Sequence, residues 1–140
     1  MEELYKSFDF LIEENRRKTF KKWVFSDRDI CNADKMAEAG FVFIGDKTEP
    51  DAVKCFLCNK LLDGWEATDD PWLEHLKHAP KCLFAKFQKA QGNLTLSQLI
   101  DVVDALTEQI ITLYFDKIGD EVEQKFEEYE QKIMSMLQAL

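Results

Sequence analysis

The chain contains no run of eighteen apolar residues, so no segment is expected to cross a membrane as a helix. Residues 1–15 have charges scattered through them and are not expected to act as a secretory signal. Disulfides are then not expected either: a reducing compartment turns cysteines toward metals. Histidine is scarce, with two in 140 residues, and no Ser-His-Asp set or phosphate-binding glycine loop occurs. Basic excess is missing as well, since 18 Lys and Arg stand against 27 Asp and Glu. That balance opposes broad contact with nucleic-acid phosphates, which needs clustered cations. Beyond Pro80 there is no proline, and beyond Gly92 only Gly119. Little in that last stretch would interrupt a helix.

Against these absences stands one dense pattern. Cys55, Cys58, His75 and Cys82 form a C-x2-C-x16-H-x6-C series. Three thiolates and one imidazole complete a closed tetrahedral zinc site. A second pattern, C-x2-C-x19-H-x3-C, would use His78 instead, and spacing alone does not exclude it. Pro80 opposes it, because an unbroken helix linking His78 to Cys82 is not available. With four protein donors no position is left for a catalytic water, so the metal is expected to be structural. Cys31, 24 positions before Cys55, fits no ligand spacing and is expected to be a buried free thiol.

The predicted fold class is α+β: a small zinc-bound domain with a short three-stranded antiparallel sheet and helices, followed by one long projecting C-terminal helix. Residues 8–23 carry an interrupted apolar face opposite a basic cluster and predict a helix. Asn32 predicts an N-cap and Gly40 a stop for a short helix through Met36 and Ala39. Strands are predicted at 41–44, 53–56 and 61–65, with Cys58-Asn59-Lys60 as a tight knuckle between the last two. Asp70-Pro71 predicts a helix start, and Pro80 its end. Residues 82–87 resume an apolar face, and Gly92-Asn93 is a break. Thr95 and Gln98 form a capping box. Leu99, Val103, Leu106, Ile110 and Leu113 then step by 4, 3, 4, 3, a coiled-coil seam that slips near Lys117–Gly119 and resumes at Phe126. One helix from there to the end would be roughly 65 Å long at about 1.5 Å per residue. Charge divides at the same place: residues 1–100 carry 17 acidic and 15 basic side chains, net −2, and residues 101–140 carry 10 and 3, net −7.

Arg16-x2-Thr19-Phe20-x2-Trp23, Met36-Ala37-Glu38-Ala39-Gly40-Phe41, the Cys55-x2-Cys58 knuckle, Gly64-Trp65, Asp69-Asp70-Pro71-Trp72-x2-His75 and Cys82 together resemble a baculoviral inhibitor-of-apoptosis (BIR) repeat. The resemblance covers residues 8–88, leaving 89–94 as a linker and 95–140 as an assembly helix. It assigns one structural Zn2+ to Cys55, Cys58, His75 and Cys82, and so removes His78 from the ligand set.

A single repeat followed by a long helix resembles family members that serve as non-enzymatic adaptors in the chromosomal passenger complex. The resemblance implies a reader of the N-terminal tail of the third core histone, phosphorylated on its third-position threonine. It also implies a helix that bundles with borealin and the inner centromere protein (INCENP) and so places Aurora B kinase in mitosis and cytokinesis. Nucleus, centromere, spindle midzone and cytoplasm are the implied locations. Asp69 and Asp63 would hold the peptide's ammonium over a floor of Leu62 and Trp65. Lys60 and His78 would take the phosphate, and Glu49 the basic second residue. Phosphate and imidazole both titrate near neutrality, so pH-dependent binding is predicted.

Leu96, Leu99, Val103, Leu106, Ile110 and Leu113 would form the assembly surface, shared with a homodimer that competes with borealin. No membrane and no direct nucleic-acid contact are implied. Departures from the family also matter. Asn32-Ala33 stands where a Thr-Pro kinase site is found in close relatives, Asp63 replaces a glutamate, and Thr68 replaces an acidic residue. An acidic tail stands where some relatives are lysine-rich. The alternative within the family is an apoptosis regulator that binds Ala-starting caspase-antagonist peptides or inhibits caspases through partners; an aromatic residue is common there at the position of His78. A zinc hydrolase and a nucleic-acid zinc finger are the readings from outside the family.

Overall fold

The structure is a computed structural model and describes residues 2–139. Its helices are α1 (Glu2–Asp9), α2 (Glu13–Arg17), α3 (Ala33–Glu38), α4 (Pro71–His78), α5 (Leu83–Phe87) and α6 (Leu96–Gln138). Single 3-10 turns lie at Phe20–Lys22 and Gln91–Asn93. Strands β1 (Phe41–Phe43), β2 (Val53–Cys55) and β3 (Leu61–Leu62) form an antiparallel sheet in that order. Phe41 pairs with Cys55 and Val53 with Leu62. α+β architecture with one long terminal helix is therefore what the chain adopts.

Local chemistry explains most boundaries. The Asn32 side chain accepts from Lys35 N at 3.0 Å and starts α3. α3 ends at Gly40, whose φ of +93° leads directly into β1. A Cβ there would meet the Phe84 ring at 2.8 Å, so the position needs glycine for space as well. Asp70 accepts from Trp72 N and Leu73 N and caps α4 behind Pro71. Both halves of the Thr95–Gln98 capping box are formed. β3 stops at Leu62, short of the expected 61–65, because Gly64 turns the chain with φ +70°. Cys31 is fully buried and free, as expected, with its thiol 3.1 Å from the Glu66 carbonyl.

The expected helix over 8–23 is instead three pieces, and Arg16 explains why. Its side chain is fully buried. Nη1 donates to the carbonyls of Phe10 (2.7 Å) and Leu11 (2.9 Å), and Nε to Ala37 (2.9 Å). Carbonyls that a continuous helix would bond internally are thus satisfied by a guanidinium, and the chain turns between Asp9 and Glu13. Thr19 bridges onward, donating to the Arg16 carbonyl at 2.7 Å and accepting from Phe43 N at 2.9 Å.

α6 runs unbroken through the Lys117–Gly119 slip. Its first turns are not a free seam. Val102, Leu106 and Ile110 are buried in the chain's own core, where α6 meets α1 and α5. Leu106 and Ile110, expected on the assembly surface, are therefore core residues, while Leu99 and Val103 are half-buried. Leu96 and Leu113 stay exposed.

A different stripe faces outward: Leu96, Ile100, Ile111, Tyr114, Ile118, Val122, Phe126, Tyr129, Ile133 and Met136, each more than a third exposed. At about 100° per residue it lies roughly 130° around the helix from the buried face. Ile118 carries it straight through the apparent slip. The buried face already ends at Ile110, before that slip, and the outward one continues alone beyond it. No helix among the described residues is long and apolar enough to cross a membrane.

The two faces should respond oppositely to truncation. Leu106→Ala is expected to cost about 2–5 kcal/mol of stability, the range for deleting a buried leucine. Phe126→Ala should leave the thermal midpoint of the domain almost unchanged. Equal losses of melting temperature for both variants would refute this division of the helix.

Candidate metal centre and peptide cleft

The four zinc donors arrive from separate stretches: Cys55 at the end of β2, Cys58 on the knuckle, His75 inside α4 and Cys82 just before α5. Their ligand atoms all lie within 4.8 Å of one another. Cys58 Sγ and His75 Nε2 are 3.7 Å apart. A tetrahedral centre with bonds of about 2.1–2.3 Å has donor–donor edges of roughly 3.5–3.8 Å, so the spacing fits zinc. His75 is fully buried, and its Nδ1 lies 2.8 Å from the Ala39 carbonyl. Donation from Nδ1–H there leaves Nε2 as the metal-facing nitrogen. Asn59 takes φ +57°, and the backbone N–H groups of Leu57 and Cys58 donate to Cys55 Sγ at 3.3 and 3.4 Å. The knuckle is thereby shaped to hold a thiolate.

Charge at the centre also calls for a cation. Burial pushes the Cys55 thiol well above its ordinary range, reinforced by the sulfurs of Cys58 and Cys82. Hydrogen bonds from Cys55 and Cys58 hold Cys82 far below its own. Burial pulls His75 down, but the Cys58 and Cys82 sulfurs outweigh it and lift the imidazole to about 9. A divalent metal removes this conflict by letting all three thiols ionise beside a neutral imidazole. The donor set is that of one closed, structural Zn2+.

Two recesses flank the centre. One, of about 110 Å³, is lined by Leu62, Asp63, Gly64, Trp65, Asp69, Glu74 and His78. It gathers the residues expected to hold a peptide N-terminus. The other, of about 790 Å³ and wide open, is lined by the knuckle from Cys58 to Leu61 and by residues 78–82. Lys60 lies there. His78 belongs to both recesses.

Asp69 does not cap α4; its Oδ2 accepts from Glu66 N at 2.8 Å and fixes the loop before the helix. Trp65 is positioned by its backbone N–H, which donates to Asp51 at 2.7 Å, and by edge-on packing on Phe41 with ring centres 5.5 Å apart. Its indole N–H is buried and has no acceptor among the described residues. Glu49 stands on the exposed 46–51 turn and lines neither recess.

Glu74 is the site residue that sequence reasoning overlooked. One helical turn before His78, its Oε2 lies 3.2 Å from His78 Nε2, and both of its oxygens accept from Lys77 at 3.1 Å. The i, i+4 spacing on a helix was the available signal.

A closed Cys3His zinc centre beside a carboxylate-lined cleft defines a small, metal-held domain. The Inhibitor of Apoptosis domain (BIR) family model matches residues 16–86, and the chain belongs to that family. Over 86 residues it is 46% identical to baculoviral IAP repeat-containing protein 5.2-A of Xenopus laevis, covering 61% of this chain and 55% of that protein. The chain thus spans about half the length of such relatives. Baculoviral IAP repeat-containing protein 5 of Cavia porcellus is 34% identical over 137 residues, 98% of this chain and 92% of that one. The Mus musculus protein of the same name is 34% identical over 129 residues, 92% and 87%. The chain is a BIR-domain protein of the survivin type.

Metal analysis of the purified chain should give one zinc per molecule, and His75→Ala should lose it together with cooperative melting. Because protons compete with zinc for three thiolates and an imidazole, bound metal should fall as pH is lowered. A chelator that leaves the melting curve unchanged would contradict the structural role.

Proposed function

We propose that the chain is a non-enzymatic adaptor that reads a phosphothreonine-bearing histone tail and assembles a mitotic complex through α6. The observation that carries the reading is the position of His78, shared by the two recesses. On one side, Asp63 and Asp69 suit a free N-terminal ammonium, with Leu62 and Trp65 beneath a small first side chain. The unpaired indole N–H of Trp65 would gain an acceptor from the peptide. On the other side, Lys60 suits the phosphate carried two residues later. A tail beginning Ala-Arg-phosphothreonine spans such a site from carboxylates to cations. His78, with Glu74 beside it, stands where the charge preference changes sign.

A peptide titration tests this. The peptide Ala-Arg-phosphothreonine-Lys should bind more tightly than its unphosphorylated form and more tightly than an Ala-starting caspase-antagonist peptide. His78→Ala should weaken the phosphate preference while leaving the unphosphorylated affinity nearly intact. Equal affinity for all three peptides would defeat this reading.

Assembly is assigned to the outward stripe of α6 rather than to the 99–113 seam. The partners proposed are borealin and INCENP, which would bring Aurora B to centromeres and the midzone; a homodimer on the same face would compete with them. Since residues 101–140 carry net −7, the facing helices should be basic beside their apolar seams. Phe126→Glu is expected to abolish co-purification with the two partner helices while leaving peptide binding unchanged. Retention of both partners by this variant would move the interface elsewhere.

A further inference from the structure

We infer that Lys81 is a third cationic contact for the phosphorylated side chain and sets how strongly this chain prefers it. The inference rests on the phosphothreonine reading above and deepens it. The chain carries a net charge of −9, yet the recess of about 790 Å³ gathers Lys60, His78 and Lys81 and is lined by no carboxylate. Lys18, Lys35 and Lys77 each have a carboxylate partner within 4 Å; among the described residues Lys60 and Lys81 have none. Their ammonium groups are thus available to an anion.

Both lysines also stand on backbone that the metal ligands hold. The Lys60 carbonyl accepts from Cys55 N at 3.0 Å. Lys81 lies within a turn closed by Cys82 N donating to the Ala79 carbonyl at 3.0 Å, and Pro80 stiffens that turn. The two lysines therefore line one recess from two anchored loops, and His78 lines it from α4. A phosphate dianion offers three oxygens, and two ammonium groups with one imidazole match that count. These groups are solvent-accessible, so each contact is worth a modest factor rather than orders of magnitude.

Calorimetric titration of the zinc-loaded full chain provides the test. The ligands are Ala-Arg-phosphothreonine-Lys, its unphosphorylated form, and inorganic phosphate as a competitor. Lys81→Ala should lower the ratio of phosphorylated to unphosphorylated affinity by about three- to tenfold, and flatten its salt dependence, with melting temperature unchanged. Lys81→Glu should lower the ratio further, and Lys86→Ala, whose lysine lines neither recess, should leave it alone. Inorganic phosphate at the phosphopeptide's concentration should not displace it; displacement at parity would assign the contact to the free anion and overturn the inference. So would a Lys81→Ala ratio equal to wild type, or an equal loss for both peptides. A wild type with no phosphate preference would instead bring down the phosphothreonine reading, and Lys81 with it.

Discussion

Everything functional in the repeat hangs on one four-point cross-link. Zinc joins the end of β2, the knuckle, the middle of α4 and the start of α5, and His75 extends the link to α3 through the Ala39 carbonyl. A sheet of three strands, none longer than three residues, has too little pairing to hold such loops alone. The metal therefore fixes the shape of surfaces that never touch it. Phe41 relays this directly: its ring centre lies 4.7 Å from that of His75 and 5.5 Å from that of Trp65, so the ligand and the cleft floor share one aromatic neighbour.

A second constraint is the buried charge of Arg16. Burial lowers its guanidinium to about 10, which still leaves it cationic at neutral pH. Three carbonyls and the faces of Phe56 and Phe84, 4.6 and 5.5 Å from its Cζ, surround it. The N-terminal segment is thus clamped to α3 by hydrogen bonds where a hydrophobic side chain would only fill space. Removing that charge would leave the Phe10 and Leu11 carbonyls without a partner, while Ala37 would keep only its bond from Gly40 N.

What the sequence disclosed follows how local each signal is. Caps at Asn32, Asp70 and Thr95 involve residues two or three apart, and the zinc spacing names three cysteines and narrows the fourth donor to His75 or His78, so these were legible. The break near residues 10–12 was not, because it depends on Arg16 meeting carbonyls that a periodicity count ignores. α6 misled for another reason: its early turns are apolar on two sides, so one register was counted where two overlap. Leu106 and Ile110 satisfied a heptad while belonging to the core. In the cleft, Asp63, Asp69 and Trp65 were named through the family resemblance, and the structure brings them to one recess. Glu74 was passed over because a charged helix residue ordinarily faces solvent.

The doubly apolar start of α6 has a kinetic consequence. Starting a helix is its unfavourable step, and isolated helices shorter than about 12–15 residues are marginal in water. Here the core fixes the first turns through Val102, Leu106 and Ile110, so the following 28 residues, 111–138, propagate from a finished nucleus. The exposed length of α6 thus extends from turns that the core already holds. The repeat behaves as the seed crystal of α6, and loss of its metal would be felt tens of ångströms away as lost helix.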